Sequence, residues 1–259
     1  KGHVIKYRLP RNIIARMQSL EYARSFLAAR ILLDKINANM IISGAFGLFE
    51  KKTVIAVGGY DNSTMGEDME LVVRLHEFSR MNRKPYKIDF AQDAICWSQT
   101  PEKLSELGKQ RKRWQRGLFQ CMWGHRKMLA NPRYGAVGLL SYLYFLLYEL
   151  LSPFIELLGV LTMVLSVMMD MLNVKFMLVF LAYYALYGIL LTLTAYFSRI
   201  YTIDQRLSFR ELSLAITACF FETTFLRFYL AFVRVTAFVG YKKNKLNWGK
   251  LERKKMNGI

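Results

Sequence analysis

The sequence predicts an α/β layer followed by membrane-spanning and interfacial helices. Three observations carry that prediction. Residues 1–135 are mixed and strongly charged, with short apolar runs alternating with helix-patterned stretches, whereas residues 136–240 are dominated by Leu, Phe, Tyr, Val and Met. Phe176 to Phe197 runs without one charge, and about 20 apolar residues suffice to cross a bilayer as a helix. The 259 residues are 53% hydrophobic yet carry a formal net charge of +18, with 37 Lys and Arg against 19 Asp and Glu, so the average hides two unlike halves. The length allows one or two domains.

Residues 12–37 have few breakers and helical spacing. "ANMIISGAFGLFEKK" then reads as a strand into a turn, with Ser43-Gly44 and Gly47 interrupting its apolar residues. A glycine inside a strand marks a bulge or the close approach of a backbone or ligand. A packing glycine in a tight core is the competing reading, and the sequence leaves both open. "VGGYD", Val57 to Asp61, is a turn. "EDMELVVRLHEF" follows as a helix, with Met69, Val72, Val73 and His76 at helical spacing. Its start crowds Glu67, Asp68 and Glu70 behind Gly66. Acids at a helix start favour the dipole and cap free N–H groups. That accounts for one or two acids and does not require three. A carboxylate held there could instead accept a proton from a substrate hydroxyl.

Short strands are expected around Ile88 to Phe90 and Ala94 to Trp97, and strands alternating with helices suggest the α/β layer. A helix start follows: Thr100 as N-cap, Pro101 at the first helical position, Glu102 in the first turn. That helix runs on to Leu129 and carries Lys109, Arg111, Lys112, Arg113 and Arg116, with Trp114 among them. Three readings fit: a juxtamembrane helix on anionic lipid, a nucleic-acid surface with stacking on Trp114, and a pyrophosphate clamp in an enzyme. Glu67 and Asp68 discriminate, because a lipid- or nucleic-acid-binding surface gains nothing from them. No nucleic-acid partner is expected.

Cys96, Cys121 and Cys219 include no C-x-x-C pair, and His3, His76 and His125 are far apart, so neither a disulfide framework nor a metal site is expected. Membrane spans are expected near 141–168 and 176–197. The first holds Glu149, Pro153 and Glu156. An acid in a bilayer costs roughly 2.5 to 3.5 kcal/mol on insertion scales, so both glutamates should face protein or the interface. The run from 212 to 240 is interrupted by Glu222, Arg227 and Arg234 and is amphipathic. Cations precede the first span and crowd the tail, residues 241–259. Cytoplasmic flanks carry such an excess, so both flanks want the same side and the number of crossings is even. That reading gives two spans, an interfacial helix and a cytoplasmic tail, in an integral protein of the plasma (cytoplasmic) membrane.

"GED" at Gly66 to Asp68, then "QRKRW" at Gln110 to Trp114 after about forty residues, then membrane spans, resembles the membrane-bound family 2 glycosyltransferases, which include cellulose, chitin, hyaluronan and poly-N-acetylglucosamine synthases. "ISGAFGLFEKK" looks like that family's acceptor-side segment, and "NWGKLERKK" resembles the W-G-x-x-x-R ending of some members. The resemblance implies that residues 1–135 are the C-terminal part of a GT-A catalytic domain. It implies an inverting transfer from a nucleotide sugar, a UDP-sugar by preference, to a growing polysaccharide or glycolipid. It gives Asp68 the role of general base and Glu67 that of orienting it. Arg113 and Arg111 would neutralise the departing diphosphate, Trp114 would stack on the acceptor sugar, Gln110 would hydrogen-bond acceptor or nucleotide, and Ser43 and Gly44 would line the acceptor pocket. The family's D-x-D motif, which holds Mg2+ or Mn2+ on the sugar diphosphate, is missing from these residues: Asp89 and Asp93 stand four apart. The chain is therefore expected to be a fragment without the donor-binding half, inactive alone. The alternative is a non-enzymatic membrane-anchored module whose basic helix binds anionic lipid or a protein partner.

Overall fold

A computed structural model describes residues 10–246 apart from 25–28, 84–85, 92–93, 95, 97, 203–207 and 245. In chain order the helices are α1 (Ile13–Tyr22), α2 (Ala29–Lys35), α3 (Lys51–Ala56), α4 (Glu67–Met81), α5 (Leu104–Gly124), α6 (Val137–Met168), α7 (Val174–Thr202), α8 (Phe209–Phe238) and α9 (Tyr241–Asn244). The chain divides into two compact units. One comprises 1–37, 89–94 and 151–232; the other comprises 38–88, 95–150 and 233–259.

In the first unit α1, α7 and the start of α8 pack together. Asn12 caps α1, its side-chain oxygen accepting the N–H groups of Ile14 and Ala15 at 2.9 and 3.1 Å. Ser208 and Glu211 form a capping box at the start of α8, the reciprocal arrangement that satisfies two orphan donors. Most side chains of α7 are exposed and apolar, Phe176, Val179 and Tyr183 among them. Arg24 instead turns both nitrogens onto Glu222, at 2.8 and 3.1 Å, and donates to the hydroxyl of Thr192 at 2.6 Å. Arg227 donates twice to Glu156, at 2.7 and 3.0 Å, and its guanidinium lies 5.4 Å from the ring of Tyr184. Glu156 faces protein, as its cost in lipid requires.

The second unit holds two cores. One joins Met40, Met69, Val73, Met122, Met128, Tyr134 and Tyr142; the other joins Leu71, Val72, Leu75 and Ile88. Both take residues from α4, whose Met69, Val72, Val73 and His76 are buried, the face its spacing predicts.

Two expectations change. Among the described residues there is no β-strand, so the α/β layer is not seen: residues 38–50 and 86–91 lie outside any helix except for a turn at 44–46, and form no ladder. A strand needs a neighbouring strand's N–H and C=O groups. Here side chains meet some of that demand: the N–H of Phe90 goes to Asp34 at 2.7 Å and that of Tyr86 to Ser79 at 3.4 Å. The helix expected over 12–37 is seen in its two described parts, α1 and α2, and residues 25–28 lie outside the described residues. Finally, α5 starts at Leu104 with Lys103 at its N-cap, so Thr100, Pro101 and Glu102 precede the helix. Trp97, Asp93 and the "NWGKLERKK" segment lie outside the described residues.

Three helices are long and apolar enough to cross a membrane: 137–168, 174–198 and 209–238. The third covers most of the run expected at 212–240, and its Glu222 and Arg227 are the charges paired within the first unit.

Candidate active site

The site belongs to the second unit and is built by the start of α4 against the middle of α5. Gly66 precedes α4, and Gly117 lies on α5. A Cβ placed on Gly117 would stand 2.7 Å from the nitrogen and 2.8 Å from the Cα of Gly66; one on Gly66 would stand 3.1 Å from the Cα of Gly117. Backbone meets backbone there, which only glycine permits. Gln120, one turn further along α5, fastens the same loop: its side-chain oxygen accepts the N–H of Met65 at 2.7 Å and the hydroxyl of Thr64 at 3.1 Å.

Helical register then places the sequence-predicted residues. Gln110, Arg113, Gly117 and Gln120 are spaced three, four and three apart, one stripe of a helix. The last two grip residues 64–66, so Arg113 and Gln110 sit one and two turns along the stripe that faces the start of α4. Arg111 and Trp114 occupy the neighbouring stripe, the guanidinium 4.7 Å from the indole centroid, a cation–π distance. Trp114 is 38% exposed. The side-chain oxygen of Gln110 is buried without a donor among the described residues. An unmet buried acceptor costs about 1–3 kcal/mol, so this atom favours a hydroxyl or amide brought to it.

Asp68 stands in the first turn of α4. Its carboxylate accepts the N–H of Gly44 at 3.1 Å and that of Met69 at 2.8 Å. A Cβ on Gly44 would lie 3.5 Å from the Cβ of Asp68. Gly44 therefore approaches the acid by its backbone, and Ser43 beside it is exposed. Glu67 is half-buried and makes no hydrogen bond or ion pair among the described residues. Gly44 supplies a contact that orients Asp68.

Sequence reasoning missed the supports behind this front. Glu70, on the opposite side of the first turn, takes Arg74 at 2.7 Å and His125 at 3.4 Å, and His125 also meets Glu77 at 2.9 Å. Burial opposes a charge on His125, but its hydrogen bonds to Glu70 and Glu77 carry its pKa above the ordinary value. Arg74 also donates to the carbonyls of Val57 at 2.5 Å and Gly59 at 2.6 Å, holding the turn in which Gly58 and Gly59 have φ of 92° and 74°. The third acid thus serves α4 and the neighbouring turn. On α5, the buried Gln115 donates to the carbonyl of Leu150 at 3.0 Å and accepts from Arg234 at 2.7 Å. Arg116 donates to the carbonyl of Ala237 at 2.8 Å, so one of the five cations of α5 is structural. A signal for these supports existed: "WQRG" repeats polar residues where an amphipathic helix would bury apolar ones.

The residues present do not fit a divalent cation. Among the described residues no group of three or more His, Cys, Asp or Glu could hold one, and the Glu70–His125–Glu77 cluster is spent on Arg74 and on itself.

The description "Glycosyl transferase family group 2" matches residues 2–239. The chain belongs to that family. This family 2 glycosyltransferase chain is 32% identical over 120 residues to the poly-beta-1,6-N-acetyl-D-glucosamine synthase of Staphylococcus aureus strain COL, covering 46% of this chain and 26% of the synthase. The same figures hold for the synthase of Staphylococcus epidermidis strain RP62A. The matched part thus spans about a quarter of those relatives. No solved structure matches.

Proposed function

We propose that this family 2 glycosyltransferase chain supplies the acceptor side of an inverting transferase, which moves a sugar from a nucleotide-sugar donor, a UDP-sugar by preference, to a growing polysaccharide or glycolipid at the cytoplasmic membrane face. The observation that carries the reading is the carboxylate of Asp68, held at 3.1 Å by the N–H of Gly44 beside a glycine contact that brings in α5. Asp68 takes the proton of the acceptor hydroxyl as its oxygen attacks the anomeric carbon, contributing ~10²-fold or more. Arg113, with Arg111 beside it, faces the diphosphate that departs with an added charge. Fixed cations act most strongly on such developing charge in a dry site. Trp114 offers its indole to the apolar face of the acceptor sugar, and Gln110 offers its unmet oxygen to a hydroxyl. Attack opposite the departing diphosphate in a single displacement inverts the anomeric centre. The donor-binding half and any Mg2+ or Mn2+ it holds are assigned to sequence beyond residues 1–259.

In the full-length enzyme, Asp68→Asn should leave nucleotide-sugar binding intact and lower transfer at least ~10²-fold. Near-normal turnover of labelled nucleotide sugar would remove Asp68 as the base.

The proposed topology keeps two crossings, by α6 and α7, with α8 interfacial and its charges met by the protein. The basic flanks before residue 137 and after residue 240 then share the cytoplasmic side. A reporter fused after Ile259 should give a cytoplasmic signal; an extracytoplasmic one would make α8 a third span.

A further inference from the structure

The turn between α5 and α6 presents a surface that the proposed transfer does not use. Residues 126–134 are fastened to the first turn of α6. The N–H of Ala130 donates to the carbonyl of Gly138 at 3.1 Å. A Cβ on Gly138 would stand 2.6 Å from the carbonyl oxygen of Met128 and 2.7 Å from that of Asn131. Met128 and Tyr134 are buried in the core. Asn131 ties the turn internally, donating to the carbonyl of Lys127 and accepting the N–H of Arg133. From this fixed base other side chains point outward. Trp123 is 62% and Leu129 42% exposed, and Arg126, Lys127 and Arg133 are exposed. None of these three cations meets a carboxylate among the described residues. Arg126 lies 5.3 Å from the ring of Trp123 and donates to its carbonyl at 3.1 Å. Leu139 and Leu140, on the first turn of α6, are exposed as well.

We infer that Trp123, Arg126, Lys127, Leu129 and Arg133 form a collar that binds the headgroups of anionic phospholipids where α6 enters the bilayer. Indole rings settle at headgroup depth. Lys and Arg lay their stems along apolar surface and lift the charge to the phosphates. Among the described residues none of the three cations meets a carboxylate, and a phosphate supplies the counter-charge. The occupant is lipid because the collar is continuous with exposed leucines of a membrane-length helix, which a bilayer must cover. The backbone contacts at Gly138 fix the collar's position on α6, so little ordering is lost on binding. The inference rests on α6 being membrane-embedded and is independent of sugar transfer.

The test uses the full chain in nanodiscs of phosphatidylcholine with and without phosphatidylglycerol. Native mass spectrometry counts the lipids retained on release. R126Q/K127Q/R133Q should lower phosphatidylglycerol retention, by roughly fivefold or more for each cation engaged, whereas K109Q/K112Q on α5 should leave it unchanged. Unchanged retention in the triple variant overturns the collar. Independently, Trp123 fluorescence is isolated as the difference between wild type and the conservative Trp123→Phe variant. Quenching of that difference by lipid spin-labelled near the headgroup supports the collar. An unquenched difference overturns it and makes a protein partner the occupant.

Discussion

The two units put charge to opposite uses. In the first, apolar side chains face outward and ions turn inward in pairs, Arg24 with Glu222 and Arg227 with Glu156. In the second, Met, Val and Leu fill the interior, while the guanidinium, indole and carboxylate groups of the site stand at or near the surface. The contrast shows that a charge acquires meaning only with its solvent. Beside lipid an arginine must be answered by the protein; beside water it can stand near the surface, within reach of a substrate.

The largest effect expected from this contrast is on the paired ions. Glu222 is 4% exposed, and its removal leaves Arg24 without its carboxylate acceptor. Breaking a buried pair from one side costs about 3–5 kcal/mol, whereas replacing both ions with apolar groups is often neutral. Glu222→Ala should therefore destabilise the full chain by about 3 kcal/mol, the low end because Arg24 retains 31% side-chain exposure. Arg24→Met combined with Glu222→Leu should recover most of the loss. Thermal unfolding in detergent measures both. A tolerated single variant would mean that the first unit does not depend on internal pairing.

An effect of similar size, spread over a pH window, sharpens the other side. His76 in α4 is 3% exposed and shares a hydrogen bond with the carbonyl of Asn39 at 2.8 Å. Burial, opposed by that hydrogen bond, lowers its pKa to about 4, against about 6.5 in the unfolded chain. Between those values the unfolded state binds more protons, so stability is full above about 6.5 and declines as pH falls through about 4, by about 3 kcal/mol. His125 has the opposite sign. Its raised folded pKa contributes stability below the unfolded value that is lost as pH rises through the folded one. His76→Gln should flatten the acid-side decline in urea midpoints and leave the His125 window untouched. An unchanged acid slope would assign that decline to other groups.

What could be read from the sequence was what is local. The apolar stripe of α4 and the acids in its first turn follow from spacing within one helix, and α6 and α7 follow from run length. The strands were not seen because a ladder is a relation between distant segments, and an extended, apolar-looking stretch does not say whether a partner lies beside it. Thr100-Pro101 had the chemistry of a helix start, yet α5 begins after it, since caps compete with the packing of the helix they precede. The ion pairs join residues 198 and 71 apart, beyond any window of periodicity. In the site, Asp68, Gly44 and the Gln110–Trp114 segment were visible as motifs, but two of the devices that align them were hidden in unremarkable residues, Gly117 and Gln120.

Gly117 gives the smallest and most local test of the contrast. Its missing side chain is what lets α5 touch Gly66, and a methyl group would meet backbone atoms at 2.7–2.9 Å. Backbone cannot rotate away as a side chain can, so the helices must part. Overpacking of this kind costs about 1–3 kcal/mol, and the same displacement carries Arg113 away from the start of α4. Gly159 in α6 has nothing within 4 Å of its would-be Cβ. There alanine removes the entropy cost of a helical glycine, up to about 1 kcal/mol in favour of the variant. Gly117→Ala should therefore lower both the unfolding temperature and transfer by the full-length enzyme, with nucleotide-sugar binding retained. Gly159→Ala should leave transfer unchanged and stability equal or slightly higher. If the two variants behave alike, the close approach at Gly66 does not align the site, and Asp68 must be positioned by Gly44 alone.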